Sequence, residues 1–366
     1  MNPHTIHWYF FISASSRMSR LSMAPDKSRT SLGSIKFRWL PPTRRRRILP
    51  DFSKEHRRRG LPYRATGFMS ESTLSNLYGH APRLPAYIAL SRLDKPIGVY
   101  LLLWPTLQAL WLAADGWPGW HLFSVFVIGT VLARAAGCVM NDMADREFDR
   151  AVKRTHNRPL TSGQLAMRDA WILLTVLLFP ALILVLSTNL LTIALAVLAV
   201  LTAAAYPFMK RLTYLPQAFL GVAFSFGIPM AFTAATGEIG RLAWLLFIAN
   251  AIWIVAYDTQ YAMVDRDDDL KLGLKSSAIL FGDLDRMTIG LLQGLFLVVM
   301  IIVAIHIDAK WPFFAGLMAN VALFGYQQYL IRDRARDACF QAFLNNHWAG
   351  LIMLAAVIAD LWWRAT

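Results

Sequence analysis

Nine carboxylates gathered in two short stretches are the residues of this chain best suited to chemistry. The first stretch is Asn141-Asp142-Met143-Ala144-Asp145-Arg146-Glu147-Phe148-Asp149. The second runs from Tyr257-Asp258 to Asp265-Arg266-Asp267-Asp268-Asp269. Together they hold nine of the 20 acidic residues that follow residue 68. Each directly follows a long apolar run. A carboxylate at the centre of a bilayer costs roughly 2.5–3.5 kcal/mol, and unpaired carboxylates repel one another. Two such groups make sense if something strongly positive sits between them, and a divalent metal bound to a polyphosphate meets that need.

Helical spacing predicts convergence. Asn141, Asp145 and Asp149 stand at i, i+4 and i+8, one stripe on a continuing helix, and Arg134 extends it inward by two turns. Asp258, Asp265 and Asp269 stand at i, i+7 and i+11, again on one face. On the same helices Asp142, Asp267 and Asp268 point elsewhere. Carboxylates without His or Cys partners suit a hard cation, and Mg²⁺ takes one or two carboxylates together with substrate phosphates and water. Two opposed faces can thus hold a diphosphate between two Mg²⁺ ions. Asp-rich loops also occur as solvated turns; the register, the recurrence and the position at a membrane surface argue against that here. Lys153, Arg154 and Arg158 follow the first stretch and can clamp phosphate oxygens. Lys153 and Arg154 also read as topology signals, whereas Pro159 and Gly163 fix the turn around Arg158. Tyr206 and Lys210, at i and i+4, can face the same space, or be an interfacial aromatic and a snorkelling lysine. Arg134 lies mid-membrane, where an unpaired guanidinium is costly. It is either salt-bridged to one of the acids or a fork for a substrate carboxylate.

The elements that must position these residues are membrane helices. Of the 366 residues, 56% are hydrophobic and only 16% charged, more apolar than a soluble domain. From residue 96 onward we expect about nine spans of some 20 residues each: 96–115, 120–140, 169–186, 190–207, 215–235, 242–263, 287–306, 311–331 and 346–363. Basic residues concentrate in alternate loops. The positive-inside rule therefore puts the N-terminus and both acidic stretches in the cytoplasm. Trp117, Trp120 and Trp311 are expected at the opposite interface as anchors. The acidic stretches end spans two and six, which suggests two related halves around one site. Cys138 and Cys339 carry neither metal spacing nor a disulfide framework, and Cys138 reads as a thiol packed on its helix.

The net charge of +14 belongs to the N-terminal region. Residues 1–68 carry 15 Lys and Arg against three acids, while the rest carries 22 basic and 20 acidic residues. The remainder is thus only +2, which excludes nucleic acid as a partner of the main domain. We expect residues 1–83 to be a basic, mostly disordered extension and 84–366 to be the working domain. Within it, residues 1–68 read as an Arg/Ser-rich transit peptide, a polybasic arm on anionic lipid, or, the favoured reading, an upstream reading-frame extension before a natural start at Met69.

The pattern N-D-x-x-D-x-x-x-D at Asn141–Asp149, followed by K-R-T-x-x-R-P-L at Lys153–Leu160, resembles the UbiA superfamily of intramembrane aromatic prenyltransferases. The second stretch, with Leu93-Asp94-Lys95-Pro96-Ile97-Gly98 and Lys275–Gly282, is similar to the 4-hydroxybenzoate polyprenyltransferases of ubiquinone biosynthesis. The resemblance covers residues 84–366. It implies an all-α integral membrane bundle of about nine helices around a central cavity open to lipid. Asn141, Asp145 and Asp149 would hold one Mg²⁺, and Asp265 and Asp269 another, with Asp258 in the same cavity. Lys153, Arg158, Tyr206 and Lys210 would contact the diphosphate, and Arg134 the acceptor's carboxylate. The implied partners are polyprenyl diphosphate, 4-hydroxybenzoate and the bilayer, and other ubiquinone-pathway proteins are admitted. The implied location is a bacterial inner membrane, or alternatively the mitochondrial one. Naphthoate, haem or homogentisate acceptors remain competing choices. A transporter or Mg²⁺ channel is disfavoured, because its acids belong near midplane rather than at one interface.

Overall fold

A computed structural model describes residues 83–150 and 155–366. The basic stretch 1–82, Lys153 and Arg154 lie outside the described residues, as does the side chain of Lys210. All regular structure among the described residues is helical.

A short helix, α1 (Leu84–Ser91), is followed by α2 (Ile97–Ala113), α3 (Gly119–Ala144) and the single turn α4 (Arg146–Asp149). Then come α5 (Met167–Leu186), α6 (Leu190–Leu212), α7 (Pro216–Ser225), α8 (Gly227–Thr236) and α9 (Arg241–Leu272). The chain closes with α10 (Ser277–Phe281), α11 (Asp285–His306), α12 (Trp311–Leu330) and α13 (Arg336–Ala365). Seven segments are long and apolar enough to cross a membrane, with α7 and α8 counted as one. The two other expected spans fall short for different reasons. Helix α2 has only 17 residues, and α12 carries Asn320, Gln327 and Gln328 in its apolar stretch. Several helices outrun the expected spans: α3 by four residues, α6 by five, α9 by nine, and α13 begins ten residues earlier.

The expected fifth span is bent. Helix α7 ends at Ser225 and α8 begins at Gly227, two residues before Pro229. Proline removes a backbone donor and crowds the preceding turn, which bends a helix without unfolding it inside a bundle. The bend brings Gly227 against α2, where a Cβ would lie 2.4 Å from Thr106 Oγ1.

Helix polarity alternates, so the bundle has two distinct ends. Asp142 at the end of α3 pairs with Arg92 just before α2. Arg211 at the end of α6 reaches Asp145, and Arg336 at the start of α13 reaches Asp265 on α9. At the other end Trp111, Trp117, Trp120 and Phe123 form an edge-to-face cluster, and Trp311 meets Trp363. The expected aromatic belt is therefore opposite the acids.

One core cluster, including Leu110, Trp253, Ile254, Phe313 and Met353, joins α2, α7–α9 and α11–α13. A second, around Leu90, Val139 and Leu174, joins α1, α3 and α5. Helix α3 packs on α1, α2, α5, α6 and α8, while α9 packs on α2, α7, α8, α11 and α13. The two acid-bearing helices therefore flank shared neighbours, α2 and α8.

Candidate functional site

The first acidic stretch is not one continuous helix. Helix α3 ends at Ala144, and Asp145 follows as its C-cap residue, at φ −96° and ψ 5°. The i to i+4 bonds persist on both sides, from Asp145 N–H to Asn141 O and from Asp149 N–H to Asp145 O, each 2.9 Å. The break redistributes the side chains. Arg158 Nη1 donates to Asp149 Oδ2 at 2.6 Å and to Asp142 Oδ1 at 3.0 Å. Arg92 Nη2 donates to the same Asp142 oxygen at 2.5 Å. Asp142 and Asp149 are buried. Asp149 therefore converges with Asp142, which the stripe pattern had pointing elsewhere. Asp145 faces Arg211 Nη2 at 3.8 Å.

The loop that supplies Arg158 is built to hold it. Thr155, buried, donates its hydroxyl to Asp149 O at 2.9 Å. Ser162 N–H bonds Arg158 O at 2.8 Å, and Leu165 N–H bonds Pro159 O at 3.0 Å. Gly163 takes φ +81°, a left-handed conformation that a side chain disfavours. Leu160 and Leu165 then bury themselves against α3 and α5.

The second stretch stays helical throughout, as its spacing predicts. Helix α9 runs 32 residues and stops at Gly273, whose left-handed φ of +67° lets its N–H cap Leu270 O. Four aspartates in its last two turns oppose the negative end of the helix dipole, an arrangement that costs a few tenths of a kcal/mol each. Local stability does not explain it. Arg336 Nη2 lies 3.5 Å from Asp265 Oδ1 and 3.1 Å from Asp268 Oδ2. Asp268, placed by the register on another face, thus shares a cation with Asp265. Asp269 accepts backbone bonds from the C-cap, with Leu274 N–H at 3.0 Å from its carbonyl.

Tyr206 connects the two stretches. It is partly buried near the acid end of α6, and Asp258, Asp145, Tyr261 and Arg134 are its electrostatic neighbours. Residues from both acidic stretches and the mid-helix arginine thus act electrostatically on one phenol. Arg134 makes no ion pair among the described residues. Its Nη1 donates to Cys138 Sγ at 2.6 Å, its Cζ lies 5.9 Å from the Phe224 ring centroid, and its buried Nε has no hydrogen-bond partner. The internal salt bridge considered for Arg134 is therefore absent among the described residues. Cys138 is free and buried, as expected.

Apart from Arg158, spacing did not single out the cations that answer the acids. Arg92 sits two residues before Asp94-Lys95-Pro96; burial opposes its charge, yet Asp142, Cys138, Tyr261 and Asp149 raise its proton affinity above the ordinary arginine value. Arg211 and Arg336 read in the sequence only as loop charges. Asp285, fully buried and held by Arg334 through bonds of 2.8, 3.0 and 3.1 Å, was also missed. An arginine directly beside a motif was the one available signal.

Among the described residues no three His, Cys, Asp or Glu side chains form a metal cluster unaided. The donor set is all oxygen, with three carboxylates beside arginines in the first stretch and two in the second. That fits a hard cation which draws its remaining ligands from phosphate and water. The arginines suit the phosphate oxygens of the same ligand.

Residues 102–352 match the model of the UbiA prenyltransferase family. A protein of Pseudomonas syringae pv. syringae (strain B728a) named 4-hydroxybenzoate octaprenyltransferase is 53% identical over 289 residues, 79% of this chain and 98% of that protein. One of the same name from Chromohalobacter salexigens is 54% identical over 280 residues, 76% of this chain and 94% of that protein. Among solved structures, the apo form of a UbiA homolog from Aeropyrum pernix K1 aligns with a TM-score of 0.64 at 23% identity, covering 72% of this chain and 97% of that one. A UbiA homolog from Archaeoglobus fulgidus bound to GPP and Mg²⁺ aligns at 0.59 and 15% identity, covering 75% and 99%. The chain belongs to the UbiA prenyltransferase family.

Proposed function

We propose that this protein transfers a polyprenyl group from polyprenyl diphosphate to the ring carbon ortho to the hydroxyl of 4-hydroxybenzoate. Diphosphate is released, and the product serves ubiquinone biosynthesis. The observation that carries the reading is the 53% identity over nearly the whole length of a relative named 4-hydroxybenzoate octaprenyltransferase. The pairing of arginines with both acidic stretches, Arg158 with Asp142 and Asp149 and Arg336 with Asp265 and Asp268, supports it.

The reaction needs the allylic C–O bond to ionise, and charge then builds on the leaving diphosphate. Asn141, Asp145 and Asp149 would hold one Mg²⁺, and Asp265 and Asp269 another, with Asp258 beside them. Bound Mg²⁺ supplies positive charge that stabilises the leaving group. Lys153, Tyr206, Lys210 and the uncommitted N–H groups of Arg158 contact the phosphate oxygens. Asp142 with Arg92 and Arg158 fixes Asp149. Arg134 meets the acceptor's carboxylate, which orients the ring for attack. The surrounding apolar helices exclude water that would capture the allylic cation. The polyprenyl tail remains in hydrocarbon, where each CH₂ is worth about 0.8 kcal/mol.

Residues 84–366 carry this activity, and 1–68 are dispensable for it. A chain starting at Met69 is expected to insert and turn over normally; loss of activity in correctly inserted protein would reject that division. The location is a bacterial inner membrane, with both acidic stretches on the cytoplasmic side. The central test supplies membranes with 4-hydroxybenzoate, octaprenyl diphosphate and Mg²⁺ and identifies the product by mass spectrometry. Ring-prenylated 4-hydroxybenzoate is expected. Product only with a naphthoate or homogentisate acceptor would overturn the acceptor assignment.

A further inference from the structure

Helix α11 carries a groove on its outer face, opening at the acid end of the bundle. Arg286, Gly290, Gly294 and Val298 follow one another at four-residue steps and form one stripe. Met287, Leu291 and Leu295 stand beside it as an exposed apolar ridge. With Gln328 of α12 they line a groove of about 1060 Å³. The glycines give it depth. A Cβ at Gly290 would stand 3.5 Å from Gln328 Nε2, an ordinary contact, and one at Gly294 would meet nothing within 4 Å. Neither glycine has a positive φ, and helix interiors favour alanine. Packing and backbone thus both admit a side chain at Gly294, and what the glycine supplies is room for something outside the chain.

The mouth of the groove is cationic. Asp285 pairs with Arg334 at 2.8 Å and lies 3.7 Å from Arg266. Arg332 pairs with Asp333, and Asp283 lines the mouth with its side chain exposed. Arg286 makes no ion pair among the described residues. Its Nη1 donates to Arg332 O at 2.8 Å, and its buried Nε has no hydrogen-bond partner. Arg266, Arg286 and Arg334 therefore stand against only Asp283 and Asp285, and the surplus positive charge sits at Arg286. From Arg286 to Val298 the stripe runs about 18 Å, at about 1.5 Å per residue. One leaflet of hydrocarbon is about 15 Å thick, half of about 30 Å. A second copy docking by the same face would bring Arg286 against its own counterpart, like charge on like. A lipid instead lays an acyl chain in the trough and brings a phosphate to the guanidinium fork.

We propose that this groove binds one anionic glycerophospholipid, its phosphate at Arg286 and an acyl chain along Gly290 and Gly294. The full chain is reconstituted in vesicles of equal parts phosphatidylcholine and phosphatidylglycerol and extracted in mild detergent. Bound lipids are then counted by native mass spectrometry. One phosphatidylglycerol per chain is expected, about fivefold or more over phosphatidylcholine. Arg286→Gln should lower that retention about fivefold. Gly294→Leu, whose added atoms enter open space, should lower it as far while keeping the wild-type thermal midpoint. Raising sodium chloride from about 0.01 M to about 1 M should release the lipid from the wild type, because the charge pair is screened. That arm decides the matter of charge even if Arg286→Gln inserts poorly. Equal retention of the two lipids, or retention indifferent to salt, would overturn the proposal. So would retention unchanged by Gly294→Leu, which would put the lipid elsewhere. A wild-type mass of two copies that falls to one in Gly294→Leu would assign the face to a second copy and overturn it as well.

Discussion

Asp142 and Asp145, three residues apart, carry different burdens. Asp142 is 2% exposed and shared between Arg92 and Arg158. Removing its charge leaves the partly buried Arg92 guanidinium uncompensated, which costs about 3 kcal/mol, while Arg158 keeps Asp149. Asp142→Asn should therefore lower the thermal midpoint in detergent, and an unchanged midpoint would show that Asp142 is not a structural anchor. Asp145→Asn and Asp265→Asn should instead reduce turnover by about 100-fold or more with little change in stability, each removing a metal-ligand charge. Thorough chelation should abolish turnover, and activity surviving it would reject metal dependence. Spacing assumed an i to i+4 register, which runs up to Asp145 and through Asp265. It misjudged Asp142 and Asp149 because the helix breaks at Asp145, and no propensity rule marks that break. The arginines were illegible for a different reason: long-range pairs such as Arg336 with Asp265 leave no local periodicity.

At the level of helices, α9, α11, α12 and α13 are joined by amides as well as by apolar contact. Gln327 Oε1 on α12 accepts from Gln260 Nε2 at 3.1 Å and from Gln293 Nε2 at 2.8 Å. Gln327 Nε2 donates to Asn345 on α13 at 3.0 Å. Asn346 Nδ2 donates to Gln260 Oε1 at 2.9 Å, and Asn346 Oδ1 accepts from Trp253 Nε1 at 3.0 Å. Gln260 lies two residues past Asp258, so the network sets the rotation of α9 and hence where its acids point. Gln327→Leu strands two buried donors and should cost about 1–2 kcal/mol, visible as a lowered thermal midpoint. A wild-type midpoint would show that the apolar contacts suffice. Hydropathy revealed where most helices lie, because each needs a run of apolar residues. The same amides made α12 look less membrane-like, although they are what bind it to its neighbours.

For the molecule as a whole, alternating helix polarity separates an acidic, arginine-rich end from an aromatic one. The sequence showed this division through loop charges and tryptophans. With single cysteines in a Cys-free background, positions 117 and 366 should label from the side opposite position 271. Same-side labelling would overturn the topology. Helix α6 connects the two ends in an unusual way. Only 11% of Leu190–Met209 is buried. At its start Asn189 Nδ2 donates to Thr233 O on α8, and Thr192 Oγ1 meets Thr233 Oγ1 at 2.7 Å. At its other end Arg211 reaches Ala144 O at 3.3 Å, and Lys275 reaches Leu212 O at 3.3 Å. Its 23 residues fix a span of about 35 Å between the two attachments. A helix pinned at both ends and faced by lipid between them works as a gauge of bilayer thickness. Thinner or thicker membranes must tilt it or pull one pin, and either shifts Tyr206 relative to Asp145 and Asp258. Turnover in phosphatidylcholine vesicles should pass through a maximum as acyl chains lengthen from about 14 to about 22 carbons. Asn189→Ala, which frees one pin, should flatten that maximum, and an unaltered profile would mean that the lipid's length never reaches the site.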